Sequence, residues 1–216
     1  MRAGSFALRD AFPDVLKGLI SVEFGVVAAK GLVKVAALLG VLAADSAIPA
    51  TARAMFEQMG SHIEALDQRV AAADCELAAL HKANPVSQLL AEIPGVGSLG
   101  AITLALTIEP GNFASGRHFA AWLGLTPKEH STGGKQRMGK ISKAGNERLR
   151  QLLFVGAMSV IRFAKPGSKS ASAWLLQLLE RKPRKLAAVA LANKMARVIW
   201  AMMARGEAYR RQPVTA

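Results

Sequence analysis

Cysteine is nearly absent from this 216-residue sequence: Cys75 is alone. An internal disulfide is therefore excluded, and a single thiol fits a reducing compartment, where it reads as a small buried hydrophobe. Histidines are few and scattered, at 62, 81, 118 and 130, without the short ligand spacings of a zinc site. Acidic residues are scarce in the second half, where Glu109, Glu129, Glu147, Glu180 and Glu207 stand far apart and suggest no Mg²⁺ carboxylate cluster. The apolar N-terminal region has no uncharged run near the roughly 20 residues that a spanning helix needs. Lys17, Glu23, Lys30 and Lys34 interrupt it, and Arg9, Asp10 and Asp14 fall where a cleaved signal would have its apolar stretch. The expectation is a cytoplasmic protein with no membrane segment and no metal or cofactor held by this chain itself.

Apolar residues, by contrast, make up 51% of the sequence, enough for a real core and against disorder. The length allows one sizeable domain, or a small domain with an extended element. The formal net charge is +13, and it is unevenly placed. Residues 1–100 carry 8 Lys/Arg and 10 Asp/Glu, net −2, whereas residues 101–216 carry 20 and 5, net +15. Such a division suggests a polyanion-binding half, with nucleic acid held largely through counterion release. A merely solvated basic surface is the alternative.

Residues 1–48 are rich in Ala, Val, Leu and Gly and read as an N-terminal helical segment or linker, closed by the Ser46–Pro49 region. Phe56, Met59, Ile63, Leu66, Val70, Ala73, Leu77 and Leu80 then recur at alternating spacings of three and four. That heptad predicts a coiled-coil helix over 49–84, stopped by Pro85. Its seam, residues 52–82, could mate with a second copy or with the preceding helix of its own chain; its regularity favours self-association. The turn Ile93-Pro94-Gly95-Val96-Gly97 lies between apolar stretches and resembles a helix-hairpin-helix, in which Gly95 and Gly97 would leave backbone N–H groups open to a phosphate. A plain glycine turn between core helices is the other reading.

Residues 113–125 predict a short helix with Phe119, Trp122 and Leu123 turned inward. Helices are further expected from about Leu149 to Phe163, over 174–179 and over 184–209, the last carrying Lys194, Arg197 and Arg205 in one sector. The fold class is thus mainly all-α: a long coiled-coil helix plus a compact helical domain over 88–211, with a helix-hairpin-helix and one small β-hairpin.

The densest chemistry is HSTGGKQRMGKISKAGNERLR, residues 130–150. Gly133-Gly134 suits a two-residue hairpin turn. Lys135, Arg137, Lys140, Lys143, Arg148 and Arg150 then present charge along a strand, a loop and a helix start, and guanidinium forks match phosphate oxygens. Ser131 could be a nucleophile only with activation. His130 is a poor base for it, since adjacent side chains diverge in a strand or a helix. From the residues alone Ser131 reads first as a turn serine, as most serines before Gly-Gly are.

The strings IPGVG, FASGRHFAAWLGLTPKEHSTGGKQRMGKISKAGNERLRQLL and RKPRKLAAVALANKMARVIWAMMARGEAY resemble the C-terminal domain of the bacterial insertion-sequence transposases known as bridge recombinases. The resemblance covers about residues 88–211, and the heptad segment matches the family's coiled coil in position. It implies a DNA recombinase in which an acidic RuvC-like domain binds Mg²⁺. Ser131 matches the serine that links transiently to the cleaved strand, and a structured noncoding RNA pairs with donor and target DNA. Asp10, Asp14, Glu23 and Asp45 do not match the family's acidic set, so the sequence reads as lacking that domain. The rival expectation is a non-catalytic DNA- or RNA-binding regulator derived from such a transposase.

Overall fold

The structure, a computed structural model, describes residues 35–44, 46, 48–130, 138–165 and 172–210. These are mostly helical with one two-stranded antiparallel sheet, as the all-α reading expects. The chain divides into two compact units, with the division between Glu76 and Leu77. That point falls inside the long helix rather than at its end.

In the first unit, α1 (Val35–Ala44) precedes the 34-residue helix α2 (Ala50–Ala83). Leu38, Leu42 and Ile48 pack with Phe56 and Ile63, one heptad apart, with Leu39, Ala52 and Met59 at the margin. The first part of the seam is therefore occupied by the chain's own preceding helix. Further along, Val70 is buried, Leu66, Ala73 and Leu77 are half-buried, and Leu80 is 50% exposed. Cys75 corrects one expectation: it is exposed. It lies two residues beyond seam position Ala73, about 200° around the helix, so it cannot share the buried stripe.

The second unit begins with the end of α2. Asn84 caps α3 (Pro85–Ala91), its side chain accepting from the Ser87 N–H at 2.8 Å, and Pro85 sits in the first turn. Ser87, fully buried, has its hydroxyl 2.7 Å from His81 Nδ1, which closes the corner between α2 and α3. Then follow α4 (Ser98–Thr107), a 3₁₀ turn at Pro110–Asn112, and α5 (Gly116–Trp122), capped by Ser115. Strands β1 (Pro127–Glu129) and β2 (Met138–Ile141) lead into α6 (Glu147–Arg162). Helices α7 (Ala173–Arg181) and α8 (Arg184–Arg205) complete the unit, and Gly206, at φ +66°, ends α8 in the left-handed cap that favours glycine.

Helix α8 is the axis of this unit, with α5, α6 and α7 packed on it. Its buried side is mostly small or flexible: Ala188, Ala192, Met195, Ala196, Ile199 and Met202 recur at helical spacing and let neighbours approach closely. Leu90, Leu104, Phe119, Leu123, Leu149, Leu153 and Leu175 fill the core around it. Burying each of these larger side chains contributes roughly 1.5–3 kcal/mol. Two polar bonds fix α8 lengthwise, from Asn193 Nδ2 to the Leu125 carbonyl at 3.3 Å and from Trp200 Nε1 to the Pro110 carbonyl at 3.1 Å. By length and composition α8 could also cross a membrane, but here its apolar stripe forms the core.

Trp122 departs from the expected inward orientation. Phe119 and Leu123, four apart, are fully buried, while Trp122 flanks them and is 37% exposed. Its ring packs edge-to-face on Phe113 at 5.3 Å and stacks with Phe119 at 6.1 Å.

Candidate nucleic-acid interface

The two strands frame the segment that the sequence singles out. Pro127 pairs with Ile141 and Glu129 with Met138, with an irregularity between them. Glu129 and Met138 are equidistant in sequence from Gly133-Gly134, as a hairpin centred on that pair requires. Between these pairs one residue, Lys128, stands against two, Gly139 and Lys140, as in a bulge. Both lysines are exposed. The His130 ring lies over Gly139, where a Cβ would come within 3.0 Å of its Cδ2. Ser131, Gly133, Gly134, Lys135 and Arg137 lie outside the described residues.

After β2 the chain makes a tight, strained corner. Lys143 adopts φ +55°, which among the described residues no other non-glycine shares in sign. Its N–H bonds the Gly124 carbonyl at 3.2 Å, and the Ser142 N–H bonds the Thr126 carbonyl at 2.9 Å. Gly145, at φ +67°, packs against the Trp122 carbonyl so closely that no Cβ could fit. The Lys143 side chain, held by this frame, is exposed.

Helix α6 opens at the same corner, as the sequence suggests for Gly145-Asn146. Asn146 caps it, accepting from the Leu149 N–H at 3.1 Å. The two arginines of the first turn divide in role. Arg148 is exposed, whereas the half-buried Arg150 donates through one terminal nitrogen to the Leu123 carbonyl at 3.1 Å and the Ala144 carbonyl at 2.8 Å. That nitrogen ties the end of α5 to the 142–146 corner.

The glycine turn between α3 and α4 joins two helices in mutual contact. Gly95, at φ +89°, has a packing reason to be glycine: a Cβ there would stand 2.6 Å from the Gly156 carbonyl oxygen on α6. Gly97 has none of this. It is extended, nothing lies within 4 Å of its Cβ position, and it caps α4 without a side-chain hydrogen bond. Gly97 and Ser98 are exposed, so the first-turn N–H groups of α4 face solvent.

On α8, Arg197 is exposed while Lys194 is half-buried, with its Nζ 4.6 Å from the Trp174 ring centroid. Burial, and then the nearby Arg197 charge, hold the Lys194 ammonium below the ordinary lysine value. No three of His, Cys, Asp or Glu gather among the described residues, so Mg²⁺ does not fit on them. Two groups of cations went unassigned in the sequence reading. Lys128 was missed because only the strand pairing brings it beside the segment that carries Lys140. Arg181, Lys182, Arg184 and Lys185 were missed although their run around Pro183 is visible in the sequence.

Residues 87–172 match the family model described as Transposase IS116/IS110/IS902 family. The chain is 48% identical over 212 residues to a Sinorhizobium fredii protein named as transposase y4pF/y4sB, covering 97% of this chain and 54% of that one. It is 38% identical to a family 20 transposase of Pseudomonas aeruginosa, over 94% of this chain and 61% of the relative. It is 37% identical to the transposase for insertion sequence element IS1111A of Coxiella burnetii, over 94% and 56%. The chain thus spans a little over half the length of these curated relatives.

Proposed function

We propose that the chain is a member of the IS116/IS110/IS902 transposase family, that it holds DNA for strand exchange and that Ser131 links transiently to the cleaved strand; the match over residues 87–172 and the likeness to the named transposases support this reading. The observation that supports this is electrostatic. Within the matched segment, Lys128 on β1, Lys140 on β2, Lys143 at the corner and Arg148 at the start of α6 are all exposed. These cations flank residues 131–137 in sequence on both sides, and charge-assisted hydrogen bonds from them suit a strand phosphate.

In the proposed step a bond forms between Ser131 Oγ and phosphorus as the bond from phosphorus to one deoxyribose oxygen breaks. The hydroxyl proton passes to solvent, and the departing oxygen takes up a proton. Reverse attack by a deoxyribose hydroxyl restores the phosphodiester and frees the serine. Nothing is oxidised or reduced. Mg²⁺ belongs to the family's complete site by resemblance. The described residues supply no ligand set for it, so its carboxylates are proposed to come from elsewhere in the assembly.

Phosphate contacts position nucleic acid without reading its sequence. The family resemblance implies a structured noncoding RNA as the sequence-reading partner, and self-association through residues 52–82 is proposed as the way copies are brought together.

The test is complementation. The chain is incubated with element-end DNA and a family protein that keeps its acidic set but lacks the matching serine. A denaturant-resistant protein–DNA adduct is expected, and Ser131→Ala in this chain should abolish it. If no Ser131-dependent adduct forms in any such mixture, the catalytic role is wrong.

A further inference from the structure

We propose that the corner between α7 and α8, residues 181–185, is a second site for the phosphodiester backbone of a nucleic acid, separate from the hairpin and outside residues 87–172. The sequence there is Arg-Lys-Pro-Arg-Lys, and all five residues are exposed. Helix α7 closes with the Lys182 N–H on the Leu178 carbonyl at 2.9 Å. Helix α8 opens with the Leu186 and Ala187 N–H groups both on the Pro183 carbonyl, at 2.9 and 3.0 Å. Lys182 and Pro183 are the whole connection, and both are extended. Four cations are thus carried on a short corner bonded from both sides, and little ordering is lost when a partner settles on it.

Packing within the chain does not account for this charge. Among the described residues none of the four cations has a carboxylate within ion-pair reach. Arg184 and Lys185 begin α8, which has no acid in its first turn, and cations at a helix start oppose its dipole. Their place on the helix is equally telling. Ala188 and Ala192 follow Arg184 at four and eight residues, and both are fully buried. The stripe that builds the core therefore ends, one turn outward, in exposed charge. Such an arrangement is unfavourable in the free protein and is relieved by an anion. Arg181 closes α7 and Arg184 and Lys185 open α8, so the four cations stand on two helix ends either side of a two-residue extended link. Charges spread over two elements meet a repeating polyanion, with one phosphate per about 3.4 Å along a strand, better than a single phosphate or carboxylate.

Either DNA or RNA supplies this chemistry, and titration of the full chain with duplex DNA and with hairpin RNA separates them. The variant carries Arg181→Gln, Lys182→Gln, Arg184→Gln and Lys185→Gln. With about 0.9 of log–log salt slope per phosphate contact on duplex DNA, the slope should fall by about 3–4 on the nucleic acid that this corner holds. A companion variant with Lys128, Lys140, Lys143 and Arg148 changed to Gln should keep the corner's share, so failure of the hairpin reading is seen separately. Arg184→Glu alone puts an acid where the helix dipole favours one, so it should fold and still lower the slope. A fall on DNA alone or RNA alone assigns the corner to that partner. Unchanged slopes on both, or binding that the variant loses only on anionic phospholipid vesicles, would overturn the proposal.

Discussion

Lys143 is where backbone and function pull apart. A left-handed backbone at a residue with a Cβ costs roughly 1–2 kcal/mol. Here the surrounding hydrogen bonds and the packed Gly145 impose it. Glycine would remove that strain at the expense of unfolded-state entropy, so Lys143→Gly should leave stability unchanged or raise it by up to about 1 kcal/mol. A β-branched residue tolerates this conformation worst, so Lys143→Val should destabilise by about 1–2 kcal/mol. If the lysine is held there for a phosphate, the glycine variant should also lose about one unit of salt slope on DNA. Paired denaturant melts and salt titrations read both effects; a glycine variant that binds as tightly as the parent at every salt concentration removes Lys143 from the interface. Arg150 marks the limit of reading residues by type. As an arginine in a basic run it points to phosphate, but its carbonyl partners include one 27 residues earlier, which no local pattern reveals.

At the scale of elements, the turn between α3 and α4 at residues 93–98 was legible from its glycines, but their separate duties were not. Gly95 answers to Gly156, 61 positions away in sequence, and that pairing exists only once α6 lies against the turn. Gly97 is the position left open toward solvent, which makes it the place to test phosphate contact. Aspartate is a better N-cap than glycine and its charge complements the helix dipole, so Gly97→Asp should stabilise α4 by about 0.5–1 kcal/mol. The same carboxylate would repel a phosphate approaching the first-turn N–H groups. The expected outcome is a higher melting temperature together with weaker DNA binding, read by calorimetry and by fluorescence anisotropy. Undiminished affinity would leave the turn as a packing device. The pairing of β1 with β2 was legible for a simpler reason: Gly133-Gly134 suggests a turn, and the paired Glu129 and Met138 stand equally far from it in sequence.

For the molecule as a whole, charge and periodicity told different amounts. The net +15 of residues 101–216 fits a polyanionic partner without placing it. The heptad seam names an apolar partner without saying whose it is, because Leu and Ile spacing is blind to chain identity. In the structure Phe56 and Ile63 are covered by Leu38 and Leu42 of the same chain, while Leu80 stands 50% exposed. The proposed self-association through residues 52–82 would then use the end of the seam, at the half-buried Leu77 and the exposed Leu80. Changing both to lysine should convert an assembled species to monomer in light scattering, with helix content kept, since neither position belongs to the buried core. Phe56→Ala should do the opposite: it empties a buried site, costs about 3–5 kcal/mol, and lowers the melting temperature of the first unit without changing the mass of the folded species. Should Phe56→Ala dissociate the assembly while Leu77→Lys/Leu80→Lys leaves it intact, the contact between copies would have to run through the part of the seam that α1 covers here.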